Sequence, residues 1–238
     1  MNGRPWPVAL VTGARKGIGR ALAEHLLDRG YQVVGCSRLD ADWKAEGFFH
    51  LRTDVADERQ VKALFREIKR RYGRLDAAIN NAAVTSMNHV LLTPAASVEK
   101  MMSANVVGTF LVSREAAKLM QRREYGRIVN FSSLAVPMRL GGQSAYVASK
   151  ASVESLSQVM ARELAEYGIT VNVIGPSPIE TDMIRGLSKD KVNHLLDAMA
   201  VKRMGTFADV ANVLDFFLRP ESDAVTGQVI YLGGIPNL

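Results

Sequence analysis

The sequence predicts an α/β fold: a doubly wound parallel sheet of about seven strands flanked by helices. Three observations point there. Short apolar, β-branched runs alternate with longer amphipathic segments from one end of the chain to the other, the pattern of repeated βαβ units. A length of 238 residues, 47% hydrophobic and 23% charged, is enough to bury a substantial core in one globular unit. No internal repeat, low-complexity run or Pro/Gly/Ser linker interrupts the pattern, so residues 1–238 read as a single domain.

The elements follow in order. Strands are expected over residues 8–12, 32–36, 48–52, 75–80, 127–131, 170–174 and 228–232, each a short run rich in Val, Ile, Leu or Phe. Between them, apolar residues three and four apart predict helices over 17–29, 58–72, 97–122, 145–167, 189–200 and 207–218. In the second of these Val61, Leu64, Phe65 and Ile68 share one face.

Composition excludes several classes. The single cysteine, Cys36, can form no intrachain disulfide and leaves no paired-cysteine metal site, which suits a reducing cytoplasm. The longest uncharged stretch, residues 77–98, carries Asn80, Asn81, Asn88, His89 and Pro94 and is no membrane span. Residues 1–7 show no apolar run of the kind a targeting peptide needs. The formal net charge is +6. Its densest clusters are Lys69, Arg70, Arg71 with Arg74, and Arg122, Arg123 with Arg127. They fall at helix ends, where cations complement the dipole. An anionic carrier is the second reading of this charge. Nucleic acid is not expected, because no aromatic-interleaved basic stripe accompanies it.

In a doubly wound parallel sheet, ligands sit beyond the C-terminal ends of the strands. After the first strand comes Thr12-Gly13-Ala14-Arg15-Lys16-Gly17-Ile18-Gly19, and a helix begins at once. Glycines at such a turn let backbone approach a pyrophosphate at a helix N-terminus, which makes this a candidate dinucleotide site.

The spacing G-x-x-x-G-x-G resembles that of the short-chain dehydrogenase/reductase family. Further motifs match in kind and order: Asp54-Val55, Asn80-Asn81-Ala82-Ala83, Asn105, Ser133, Tyr146-x-x-x-Lys150, Pro176-x-x-Ile179-x-Thr181 and Thr226-Gly227-Gln228. Together they cover residues 8 to about 234. Within the family the sequence is most similar to reductases of 3-oxoacyl thioesters, through Gly141-Gly142-Gln143 and Ile179-Glu180-Thr181-Asp182-Met183. The resemblance implies a Rossmann-type dinucleotide-binding and catalytic domain, a cytoplasmic location and a homotetramer. It implies catalytic roles for Asn105, Ser133, Tyr146 and Lys150. Cofactor contacts are implied at Gly13, Arg15, Lys16, Gly17, Ile18, Gly19, Ser37, Arg38, Asp54, Val55, Asn81, Ala82, Ala83, Tyr146, Lys150, Pro176, Ile179 and Thr181, with no metal.

The four-residue spacing of Tyr146 and Lys150 puts both side chains on one helix face. An ammonium near a phenol favours phenolate, so the pKa of Tyr146 is expected below its ordinary value near 10, making it a usable proton donor at neutral pH. Ser132 and Ser133 are equal candidates, from local sequence, for a hydroxyl that orients a carbonyl; the family spacing to the tyrosine selects Ser133. For Asn105 the resemblance implies a water-mediated link from Lys150 toward solvent, resupplying protons.

An acid at the end of the second strand would hold a ribose 2′-hydroxyl and repel a 2′-phosphate. Ser37 stands there, followed by Arg38, with Arg15 and Lys16 in the glycine turn. Three cations and a hydroxyl suit a phosphate dianion, so NADP(H) is the expected cofactor. The competing possibility is that Arg38 caps a solvated loop and Asp40 or Asp42 supplies an NAD contact.

Some positions depart from the family pattern: Ala83 for a glycine, Ser177-Pro178 after Pro176, Gly233 for an aspartate, and a short connection from Ser37 to Phe48. Glu124 and Tyr167 stand where carrier-binding relatives present basic residues, although Arg122, Arg123 and Arg162 lie close by. His25, His50, His89 and His194 are isolated in sequence and are expected as surface or core residues. Met101 and Met102 are expected in the core; Met183, Met199 and Met204 could line an apolar acyl pocket. The expected activity is NADPH-dependent reduction of a ketone to a secondary alcohol, with a 3-oxoacyl thioester, borne on acyl carrier protein or coenzyme A, as the first expectation for the substrate. The alternatives are a reductase or dehydrogenase of a polyketide, sugar or other small alcohol, and an NADP-binding regulatory or scaffold protein.

Overall fold

The computed structural model describes residues 6–180 and 196–234. Its sheet holds seven parallel strands: β1 (Val8–Thr12), β2 (Gln32–Ser37), β3 (Phe48–Arg52), β4 (Ala77–Asn80), β5 (Gly126–Phe131), β6 (Ile169–Gly175) and β7 (Val229–Tyr231). Their spatial order is β3-β2-β1-β4-β5-β6-β7, so the order reverses between β1 and β4, where a ligand crevice is expected. The central strands β1, β4, β5 and β6 are buried along their whole length, which is why they read as largely apolar segments, whereas the edge strands β3 and β7 are only partly buried.

Helices cover both faces. On one side α2 (Glu58–Tyr72), α4 (Gly108–Met120) and α6 (Ser144–Leu164) pack against sheet residues such as Leu10, Val34, Ile128 and Val171. On the other, α1 (Gly17–Asp28) and α7 (Phe207–Leu218) pack on Ala9, Val11, Val33, Val129 and Ile174. The α2 face is the predicted Val61, Leu64, Phe65 and Ile68. Asp57 caps this helix by accepting from the backbone of Arg59 and Gln60, and Gly73 ends it at φ 65°.

Several boundaries differ from expectation. The helix predicted over 97–122 begins earlier, as α3 (Ala95–Met101), passes through a π-helical turn at Met102–Val107 and continues as α4. Two short helices, Val90–Leu92 and α5 (Ala135–Met138), lie in segments expected as loops. The helix over 189–200 falls mostly outside the described residues. Lys69, Arg70, Arg71 and Arg74 belong to a helix end, as their position suggests: Arg70 and Arg71 pair with Glu67, and Arg74 with Asp76.

Candidate active site

The glycine turn is built on close backbone approach. Gly13 has φ 72° and Gly17 φ 59°, both in the left-handed region that favours glycine. A side chain at Gly19 would overlap the carbonyl oxygen of Gly13 and the carboxamide of Asn81. Asn81 Nδ2 in turn donates to Thr12 O (3.0 Å), and Thr12 Oγ1 accepts from Ala82 N (3.0 Å), tying the turn to the end of β4. No side chain caps the start of α1, and a Cβ added at Gly17 would meet nothing within 4 Å, so the helix N-terminus is open to the cleft. Open N–H groups beside bare backbone fit a pyrophosphate.

That cleft has a volume of about 1530 Å³. The expected cofactor contacts Gly13, Arg15, Lys16, Gly17, Ile18, Ser37, Arg38, Asp54, Val55, Asn81, Ala82, Ala83, Pro176 and Ile179 all line it, as do Ser133, Tyr146 and Lys150. Gly19 lies behind the turn it permits, and Thr181 lies outside the described residues. Ser37, Arg38, Arg15 and Lys16 thus line the same cleft as the glycine turn. Asp40 and Asp42 do not line it; Asp42 lies 3.9 Å from both Arg15 and Arg20.

The short connection after Ser37 is organised by Trp43, a residue the sequence reading missed. Its ring stacks on Phe48 (3.9 Å, 18°) and its Nε1 donates to Ala14 O (3.1 Å), so the connection buttresses the glycine turn. A lone tryptophan in a polar loop signals burial, though nothing local says against what.

At the other end, α6 meets the end of β5. Tyr146 is 7% exposed and hydrogen-bonded to Ser133, and Lys150, 3% exposed, donates to Phe131 O (2.7 Å). Ser132 lines the same cleft but donates to Glu154, which also accepts from Tyr231 (2.6 Å to its hydroxyl). Tertiary structure thus separates two serines that are equivalent in sequence. The pKa of Tyr146 is raised, against the expected lowering. Burial pushes the phenol up, and the Ser133 hydrogen bond opposes it; burial also pulls Lys150 down to about 8. Spacing places the ammonium near the phenol, but desolvation of both groups outweighs it.

Asn105 is fully buried in the π-helical turn. Its Nδ2 donates to Val84 O and Ser149 Oγ (both 2.9 Å) and its Oδ1 accepts from Val84 N (2.8 Å), clamping the segment after β4 to α6. The turn frees this side chain to face inward, as π-bulges do at functional sites. A buried polar chain beneath the site also escaped the sequence reading: Asn80 Nδ2 donates to Ser113 Oγ and Asn130 Oδ1, and Asn130 Nδ2 to Ser157 Oγ (2.8 Å each).

The departures have packing partners. Gly205 leaves room for the Ser177 hydroxyl, and its N–H donates to Pro178 O (2.8 Å). Gly233 sits at φ 90°, where a Cβ would overlap the Met199 methyl and crowd Ser177, so an aspartate has no place there. Met199 is therefore core, and Met183 lies outside the described residues. His25, isolated in sequence, bonds Asp215 across 190 residues (2.9 Å).

Comparison with known proteins agrees with this geometry. Residues 13–234 match the family model described as enoyl-(acyl carrier protein) reductase. The 3-oxoacyl-[acyl-carrier-protein] reductase of Escherichia coli K12 is 33% identical over 233 residues, spanning 95% of this chain and 96% of that protein. The enzyme of the same description from Staphylococcus aureus N315 is 35% identical over 236 residues, with 95% and 96% covered. The crystal structure of a protein described as a candidate gluconate dehydrogenase from Agrobacterium tumefaciens superposes with a TM-score of 0.88 at 28% identity, covering 96% of this chain and 94% of that one. An oxidoreductase of CH–OH/C=O groups using a nicotinamide cofactor is what this fold, cleft and set of relatives describe, and the chain belongs to the short-chain dehydrogenase/reductase family.

Proposed function

We propose that the protein reduces a 3-oxoacyl thioester to a secondary alcohol with NADPH. The observation that carries the reaction type is the meeting of Tyr146, Ser133 and Lys150 at the floor of one cleft. The nicotinamide, when bound, supplies the hydride. Ser133 orients the carbonyl oxygen by hydrogen bonding, and Tyr146 delivers a proton to it as negative charge develops. Lys150, fixed by Phe131 O, would hold the nicotinamide ribose, and its ammonium, when protonated, favours phenolate at Tyr146. Resupply of the proton runs through Lys150 and a water held near Asn105. Ser37, Arg38, Arg15 and Lys16 lining one cleft support NADP(H) over NAD(H).

The thioester is supported by the relatives described as 3-oxoacyl reductases. A small hydroxylated ketone is the second reading, and two cleft-lining residues favour it: Thr85 Oγ1 and Gln143 Oε1 are buried without a hydrogen-bond partner. A hydroxylated substrate would satisfy them. The two are separated by NADPH oxidation against acetoacetyl coenzyme A, the same acyl group on acyl carrier protein, and a panel of sugar ketones. Turnover confined to the sugar ketones overturns the thioester proposal. A homotetramer is part of this proposal.

A further inference from the structure

We propose that His50 is a positioning residue for the 2′-phosphate of the cofactor, acting through the hydroxyl of Ser37. The proposal rests on NADP(H) being the cofactor and extends it to a residue outside the cleft wall.

Ser37 Oγ donates to Leu39 O (2.7 Å), and this uses the only proton the hydroxyl has. The Nε2 of His50 lies 2.8 Å from the same oxygen. Nε2 must therefore carry a proton and donate, with Ser37 accepting. The carbonyl of Leu39 thus selects the tautomer of His50. Burial lowers the pKa of the imidazole, against an opposing influence from Asp40, which is consistent with a neutral ring holding its proton on Nε2.

The placement is built in. His50 pairs in register with Gly35, and Phe48 and His50 share one face of β3 beside Ser37 at the end of β2. Phe48 is fixed by Trp43, with its ring centroid 6.1 Å from that of His50.

A phosphate dianion accepts hydrogen bonds only. For Ser37 to bind it, the hydroxyl proton must turn from Leu39 O to a phosphate oxygen. With Nε2–H already donating, that rotation gives up one bond to a carbonyl and keeps the other. A bare Nε2 would instead draw the proton away from the phosphate. A ribose 2′-hydroxyl, which both donates and accepts, makes no such demand.

The test uses 2′,5′-ADP and 5′-AMP as probes, titrated by calorimetry into wild type, His50→Leu and His50→Gln. One hydrogen bond to a charged ligand predicts that His50→Leu weakens 2′,5′-ADP by about three- to tenfold and leaves 5′-AMP within about twofold, with His50→Gln recovering part of the loss through its amide N–H. In wild type, ¹⁵N spectra of His50 are expected to show a protonated Nε2, shifting on addition of 2′,5′-ADP and not of 5′-AMP. This measurement holds even if His50→Leu does not fold. A wild type that binds the two probes equally overturns the NADP(H) proposal itself. A wild type that discriminates, with discrimination retained in His50→Leu or Nε2 unprotonated, overturns only the role of His50.

Discussion

Single side chains carry the chemistry, and three changes test them. Tyr146→Phe removes the proton donor without touching the adenosine end, so turnover is expected to fall about 10²- to 10⁴-fold while cofactor binding stays nearly intact. Retention of more than about a tenth of the activity in steady-state assays would assign proton transfer to another group. Arg38→Ala is expected to weaken NADPH by about 1.5–3 kcal/mol and leave NADH unchanged, measured by fluorescence titration; equal losses would make Arg38 structural. The third change concerns stability. Lys150 has its folded pKa lowered from 10.5 to about 8 by burial, so between those values the unfolded chain binds the extra proton and stability rises with pH. Relative to Lys150→Met, wild type should gain on the order of 2 kcal/mol from pH 7.5 to 10 in urea unfolding. Burial raises Tyr31, Tyr125 and Tyr146, so these phenols ionise first in the unfolded chain and lower stability as pH nears 10, but they do so equally in wild type and Lys150→Met, and the difference between the two isolates Lys150. A flat difference would show that the ammonium is solvated.

At the scale of elements, the turn between β1 and α1 illustrates how two glycines of one motif differ. Gly19→Ala places a methyl against the backbone oxygen of Gly13, which cannot give way; Gly17→Ala meets open space and incurs only the strain of φ 59°. Thermal unfolding is expected to show about 1–3 kcal/mol lost for Gly19→Ala and about 1–2 for Gly17→Ala. Cofactor affinity should drop with both. Equal stability with unchanged cofactor affinity for Gly19→Ala would mean that the turn opens freely. The elements themselves were largely legible from the sequence, because buried parallel strands are unbroken apolar runs and α2 shows its face plainly. The π-helical turn was not, since residues 102–107 carry an ordinary helical composition and the extra residue per turn is set by what Asn105 reaches.

Over the whole molecule, charge and apolar surface bear on assembly and substrate delivery. Helices run antiparallel to the strands, so Arg122 and Arg123, just past the end of α4, lie at the edge of the sheet opposite the cleft. Arg162 in the last turn of α6 does the same. Within one chain they cannot guide a carrier to the mouth. On α6, Met160 is in the core whereas Val159 is exposed, as are Val107 and Phe110 at the start of α4. These three apolar side chains favour the proposed homotetramer. Light scattering at micromolar concentration should give the mass of four copies, reduced by Val159→Glu with Phe110→Glu; a monomeric wild type would remove the proposal. Arg122→Glu with Arg123→Glu should then lower kcat/KM for a carrier-bound substrate, salt-dependently, only if a neighbouring copy brings them to a mouth.

The sequence by itself determined the sheet, the glycine turn, the tyrosine and lysine four residues apart and the absence of an acid at Ser37, because periodicity, turn chemistry and helix spacing are local properties of a chain. Tertiary structure decided what distance along the chain conceals. It gave Ser133 the partner Tyr146 and Ser132 the partner Glu154, joined His25 to Asp215 and His50 to Ser37, packed Trp43 under the glycine turn, and set the pKa of Tyr146 above rather than below its ordinary value. Each of these depends on burial and on partners brought from other elements, and desolvation in particular is a property of the folded core that no spacing of residues encodes.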